Sequence, residues 1–490
     1  MRTNKKIVLV FCIIALALLA AGAAGIFLIT KQQNVPQPVS KDGPSLDADG
    51  VRTFADWSDE EIFSAVPAIQ AEGVKINKAE SFGGENYVIH VSGTSKEDYD
   101  DYLKLLEQCG YDKYVDNGET GLEEIVYSST YTKDSIVLTV THMDKLEKTS
   151  ISVCENLPLS EHLFYNDKYV AGVTAEAKTK VHMLELYNTG NSFVIQLKNG
   201  NFIISDGGDI NDFPYLLDYM ESLVPAGKKP VIEAWIVTHC HNDHMGAFEG
   251  FAENPEEADR LYVEGVYYSE VDSNTAVKVG DTSYDSMNLY VKTATSKFKT
   301  QAGETTKIYR PQTGQRYYFC DLTVDILFAQ EQLSAVNYYG AGNILNDSST
   351  WCMFTIDEQK FLLCGDASRG SMRAVMLAYP SEYFQVDVFA TFHHALNSEM
   401  DFTNYMSAKT VLFTFAEKHS NAANYGKEAN KALIERAEDS YAWGDGTVML
   451  TFPYVPGTAT ILPRNEWIYH DTREPEWLTV YPQYTEKYLK

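Results

Sequence analysis

Basic residues are in short supply: 40 lysines and arginines stand against 68 aspartates and glutamates, a formal net charge of −28 over 490 residues. The charges are spread in mixed-sign stretches, which describes a solvated acidic surface and not a disordered acidic tail. Such a surface repels phosphate backbones, so generic binding of long nucleic acid is set aside. Cysteine is sparse as well, seven in all, with Cys12 near the N-terminus. The other six, Cys109, Cys154, Cys240, Cys320, Cys352 and Cys364, lack the density of a disulfide scaffold. Cys352 and Cys364 could face each other across a hairpin turning at "DEQK", although buried free thiols are the ordinary alternative. No internal repeat or low-complexity segment is evident, which excludes a repeat array.

Of long apolar runs, one stands out. Arg2, Lys5 and Lys6 precede "IVLVFCIIALALLAAGAAGIFLIT", which carries no charge and is long enough to cross a bilayer as a helix. Basic residues on the short side predict residues 1–6 in the cytoplasm, a single-pass anchor over 7–30 and everything later outside the cell membrane. Small residues in "LAAGAA" would also suit a cleaved signal peptide, and both readings export the rest. Residues 31–50, polar with three prolines, read as a tether.

A small α+β unit is expected over 51–160. Its strand "NYVIHVSG" precedes a helix that starts at Ser95 and Asp98, repeats Tyr99, Tyr102, Leu103 and Leu106 on one face, and stops at Gly110. Three strand-like runs follow, "EEIVYSSTY", "SIVLTVTHM" and "KTSISVCE"; their His142, like His90, reads as an ordinary hydrogen-bonded histidine. From about 175 the pattern becomes "VHMLELYN", "NSFVIQL" and "NFIISDGG", then the helical "DFPYLLDYMESLV", then the apolar strand "VIEAWIVTH".

That strand runs into "HCHNDH", three of the chain's eleven histidines and an aspartate in six positions. Imidazole and carboxylate are natural zinc ligands, and residues two apart in extended chain share a side. His239 and His241 can hold one ion while Cys240 points away, and Asp243 and His244 can reach a second. Two further strands end in Asp366, within "LLCGDAS", and in His393 and His394, within "FATFHHALNS". Three strand ends delivering such groups to one edge make a dinuclear site.

With these motifs the chain resembles the metallo-β-lactamase-fold hydrolases, whose His-x-His-x-Asp-His signature "HCHNDH" matches in full. The order "IISDGG", "HCHNDHMGA", "NDSSTWCMF", "FLLCGD", "FATFHHALNS", "NYGKEANKAL" and "WGDGTVMLTFP" is similar to the branch of the DNA-uptake (ComEC-type) domain and extracellular phosphodiesterases, over about 175–455. The resemblance implies an α/β fold, an αββα sandwich with metals at one edge, here preceded by the transmembrane helix and the α+β unit. It implies His239 and His241 on the first metal, Asp243 and His244 on the second, Asp366 bridging, and either His393 or His394 completing the second site. Two Zn2+ ions are the expected cofactors, with Mn2+ or another divalent ion as the substitute. Asp206 would be a neighbour of the metals and not a ligand, and Asn346 to Ser349 would lie beside the site.

The chain departs from the pattern in three places. Residues 245–365 contain no histidine, so the third first-metal imidazole of many relatives is missing. The usual "HHGS" is "HHAL", with Ala395 and Leu396, and Lys427 stands where a histidine often follows "YG". His419 lies close in sequence; the second ion or a nearby acid, His419 or Lys427, would neutralise the leaving group, with Asp243 orienting the water. The expected reaction is hydrolysis of phosphodiester or related ester bonds in small molecules or envelope polymers. The rival is a degenerate binding module with a structural metal. The aromatic extension 456–490, with Trp467 and Trp477, either packs on the sandwich or stacks on sugars.

Overall fold

The computed structural model describes residues 61–117 and 125–462 apart from 78, 84–85, 187–188, 271–283, 334–343 and 416–426, together with 45–46, 52–53 and 57. The expected anchor 7–30, most of the tether, His419 and residues 463–490 of the C-terminal extension lie outside the described residues. Among the described residues no helix is long and apolar enough to cross a membrane.

The N-terminal unit is an antiparallel sheet with one helix across it. Its strands run in the order Lys75–Ile76, Asn86–Ser92, Lys148–Glu155, Ile136–Met143, Val126–Lys133 and Asp112–Asp116, with Glu80–Gly83 also paired to Asn86–Ser92. The helix Lys96–Gln108 starts as the sequence predicts, with Ser95 and Asp98 closing a reciprocal capping box. Its apolar face, Tyr99, Tyr102, Leu103 and Leu106, is buried against Leu138, Val140, Ile151 and Val153. Strand alternation then turns Ser128, Thr130, Thr139, Thr141 and Ser152 to the opposite face, where they too are buried. That face meets the larger domain through polar bonds: Thr141 donates to the Thr313 carbonyl at 3.0 Å, and His90 Nε2 lies 3.1 Å from the Glu331 carbonyl.

The larger domain packs two sheets face to face. The first runs Lys307–Tyr309, Gly265–Tyr268, Val231–Val237, Phe202–Asp206, Ser192–Gln196, Lys180–Met183, Thr447–Thr451 and Thr460–Leu462. The second runs Arg316–Phe319, Leu322–Phe328, Trp351–Ile356, Gln359–Leu363, Gln385–Ala390, Ser407–Phe413 and Asp439–Ala442. Every residue of Val231–Val237 is buried, as a strand covered on both faces must be. Phe193 and Phe361 meet at 5.5 Å between the sheets. On the outer faces Trp235 meets Phe248 of the helix Asn242–Glu253, and Trp351 meets Phe402 of the helix Met400–Tyr405. The α/β sandwich expected from the motifs is therefore present, with an added N-terminal antiparallel sheet.

Two local readings of the sequence are decided by the structure. The strand read from "VHMLELYN" stops at Met183: Leu184 N–H still reaches the Ser192 carbonyl at 3.1 Å, but Glu185 N–H turns to the Thr447 hydroxyl at 3.0 Å. Cys352 is registered against Leu363 and not Cys364, and all six described cysteines are free thiols.

Candidate metal centre

Parallel pairing sets the edge at which the site forms. Phe202–Asp206 and Val231–Val237 run parallel in one sheet, and Gln359–Leu363 and Gln385–Ala390 in the other. Their C-terminal ends carry Asp206, His239, Asp366 and the pair His393 and His394 to one place.

The first loop is locked before any cation is considered. His241 is the extended residue before the helix Asn242–Glu253, so Asp243 and His244 lie in its first turn. Gly208 and Asp209 press on that turn: Gly246 N–H donates to the Gly208 carbonyl at 2.8 Å, and a Cβ on Gly246 would fall 2.1 Å from the Ile210 nitrogen. Only glycine allows this approach. Gly365 plays the same part for Asp366, since a Cβ there would sit 2.5 Å from the Thr238 hydroxyl and its φ is +52°. The Ser349 hydroxyl accepts the Asp366 N–H at 3.1 Å, which gives the "NDSS" stretch a concrete contact with the site.

The structure brings the expected ligands into two groups that share one carboxylate. His239, His241 and Asp366 form one, and Asp243, His244, Asp366 and His394 the other, with candidate ligand atoms within 4.8 Å of one another in each. His239 Nε2 lies 3.0 Å from His241 Nδ1. His244 Nε2 lies 2.9 Å from Asp366 Oδ1, and His394 Nε2 lies 3.2 Å from Asp243 Oδ2 and 3.4 Å from Asp366 Oδ1. Despite this crowding, His244 Nε2, His394 Nε2 and Asp366 Oδ1 are buried without a properly aligned hydrogen bond. His393 belongs to neither group, although its Nε2 lies 3.4 Å from Asp366 Oδ2.

Asp206 is a neighbour, as expected, and orients the ligands. Its carboxylate accepts from Thr238 N–H at 2.8 Å, from Asn191 Nδ2 at 2.7 Å and from His244 Nδ1 at 2.8 Å. Thr414 supplies the matching carbonyl for His394 Nδ1 at 3.0 Å. Neither Asn191 nor Thr414 carried a sequence signal, for each acts through a contact that only folding creates. Lys427 precedes the helix Glu428–Arg436 and donates to the Leu396 carbonyl, which ties that helix to the "HHAL" turn.

Charge in the centre is finely divided. Burial and the neighbouring imidazoles of His244 and His241 push the His239 pKa well down. Burial also opposes charge on His394, but Asp366 and Asp243 outweigh it and push the pKa up to about 9. His244, ringed by Asp366, Asp206 and Asp243, is raised for the same reason, again against burial. Burial works against an ionised Asp366, yet His244 and His394 hold its carboxyl well below the usual range. The pocket is therefore built around positive charge, which in the bare protein only protons supply.

Comparison with known proteins follows the same lines. The chain is similar to the metallo-beta-lactamase fold protein YhfI from Bacillus subtilis, at 12% identity over 54% of this chain and 95% of that one, with a TM-score of 0.33. It is also similar to Zn(2+)-bound PqqB from Methylobacterium extorquens, at 11% identity over 54% and 87% with a TM-score of 0.32. Among curated proteins none matches. Residues 188–273 match the family described as the Metallo-beta-lactamase superfamily. That segment holds His239, His241, Asp243 and His244 of the candidate His/Asp metal site, together with Asn191 and Asp206 beside them.

Proposed function

We propose that the chain is a membrane-anchored, extracytoplasmic hydrolase of phosphodiester or related ester bonds that works with two divalent ions, Zn2+ before Mn2+. His239 and His241 would hold one ion, Asp243, His244 and His394 the other, and Asp366 both. The observation that carries this reading is the convergence of His244 Nε2, His394 Nε2 and Asp366 Oδ1, three buried atoms that face one another without a properly aligned hydrogen bond. Each such atom costs about 1–3 kcal/mol if nothing answers it, and a cation answers all three. The donor set of imidazole nitrogen and carboxylate oxygen suits zinc. When bound, such ions make a water acidic enough to deliver hydroxide near neutral pH and polarise an ester oxygen.

The side chains supply the rest. His244 donates its Nδ1 proton to Asp206, and His394 donates its own to the Thr414 carbonyl, so both leave an Nε2 lone pair toward Asp366. This favours His394 over His393 as the ligand. Asp243, the half-buried member of its group, would accept a proton from the attacking water and orient it. The acidic surface disfavours long nucleic acid and leaves small esters or envelope polymers, and the resemblance to the DNA-uptake branch supports a phosphodiester. The charge-free run after Arg2, Lys5 and Lys6 supports the anchor.

The metal content of the full chain, purified without chelator, tests the reading. Wild type is expected to carry close to two ions and Asp366→Ala fewer than one, with turnover of bis(p-nitrophenyl) phosphate lost alongside. A metal count unchanged by the substitution would remove the dinuclear reading. The replacement of Gly-Ser by Ala395 and Leu396 favours a second reading, a binding module with a structural metal. Asp243→Ala separates the two, because an enzyme loses turnover there whereas a binding module never had any.

A further inference from the structure

We propose that His393 is not a ligand of the centre but its substrate-facing hydrogen-bond donor, a neutral imidazole whose Nε2–H is aimed by Asn346 and Asn397 at an anionic oxygen of a bound ester. The inference rests on the ester-hydrolase reading above. It starts from the other ring nitrogen. His393 Nδ1 lies 2.6 Å from Asn397 Nδ2 and 3.3 Å from Asn346 Nδ2. With both amide nitrogens turned to it, Nδ1 accepts and the ring proton sits on Nε2. A nitrogen that bears this proton has no lone pair for a metal. His244 and His394 are the reverse case, since their Nδ1 atoms face acceptors, the Asp206 carboxylate and the Thr414 carbonyl.

Exposure sets His393 apart from the buried rings, though not from His241, which is half-buried as well. The side chains of His239, His244 and His394 are 0–2% exposed, whereas that of His393 is 24% exposed. Its Nε2 nevertheless reaches to 3.4 Å of Asp366 Oδ2, so the ring bridges solvent and centre. The backbone is bent to achieve this: φ is +45° at His393, +50° at His394 and +61° at Ala395, three left-handed residues in a row without a glycine. Strain of this kind gathers where a site requires it. In a strand two adjacent histidines would point to opposite faces; here both reach one carboxylate.

The chemistry of the role is limited by the same contacts. Releasing the Nε2 proton would leave an imidazolate, while the two amides occupy Nδ1. His393 therefore stabilises charge on a substrate oxygen and does not protonate the leaving group, so no bond is made or broken at the ring.

The full chain loaded with Zn2+ tests this with His393→Ala and His393→Gln, the glutamine amide standing in for the Nε2–H. Both variants are expected to keep the wild-type metal content. In histidine-15N-labelled protein, the ring signal absent from His393→Gln should show the Nε2–H tautomer. Turnover of bis(p-nitrophenyl) phosphate should fall about ten- to a hundredfold in kcat with alanine and recover mostly with glutamine. Binding of inorganic phosphate should weaken about tenfold with alanine and recover likewise. Metal loss in both variants, an Nδ1–H tautomer, or an alanine variant with wild-type kcat and phosphate affinity would overturn the proposal. If the wild type cleaves no ester, the functional reading fails by itself, and metal content, tautomer and phosphate affinity still decide the role of His393.

Discussion

Asp206 is fully buried and left-handed, with φ at +60°, and four groups hang on its carboxylate: the amide and hydroxyl of Thr238, the Asn191 side chain and His244 Nδ1. It fixes which nitrogen of His244 faces the candidate metal site. Asp206→Asn replaces one acceptor oxygen by a donor, so the His244 proton or Asn191 loses its partner. Zinc affinity is expected to fall ten- to a hundredfold, read by competition with a chromophoric chelator. An unchanged affinity would show that His244 is held by packing alone. The motif made His239, His241, Asp243 and His244 legible because four candidate ligands lie within six residues. Asn346 and Asn397 were not legible as a pair, for they are brought to one ring by two different loops.

The helix Asn242–Glu253 shows what an element contributes. Its start holds Asp243 and His244, and its seat on the loop after Asp206 depends on Gly246 having no side chain. Gly246→Ala is expected to destabilise the protein by about 3 kcal/mol and to reduce metal content, measured by urea unfolding and metal analysis. Backbone lies against the site of the new methyl, so no rotamer change relieves it. Helix Lys96–Gln108 was readable to the residue because cap and apolar period agree. The strand Asp112–Asp116 was not, since this edge strand buries only Val115 and so shows no alternation to read.

For the whole molecule, two apolar cores are joined across a largely polar seam. His90 sits in that seam, with Nδ1 2.8 Å from the Ser150 hydroxyl. Burial, helped by Lys148, lowers its pKa to about 3. His182, 2.6 Å from the Tyr219 hydroxyl in the larger core, is likewise lowered to about 3 by burial and then Lys180. Unfolded histidine titrates near 6.5. Between about 6.5 and 3 the unfolded chain therefore binds protons that the folded chain refuses, so stability present above that window is lost as pH falls through it. Each histidine contributes a slope of about 1.4 kcal/mol per pH unit. Urea unfolding at pH 7 and pH 5, wild type against His90→Gln and His182→Gln, should show a shallower acid loss in each variant. An equal loss would mean that carboxylates alone set the acid response.

The chain alone was sufficient for the α/β class, the order of the motifs and the first four candidate ligands, because hydrophobic period and ligand spacing are local properties of consecutive residues. It also named Asp366 and the histidine pair, as the ends of strands expected to reach one edge. It could not choose between His393 and His394, nor supply Asp206 with its partners, nor turn the serine and threonine face of the first unit toward the second. Those choices depend on which nitrogen meets an acceptor and which face meets another sheet. Contacts between distant residues decide them, and such contacts exist only once the two sheets have closed on one another.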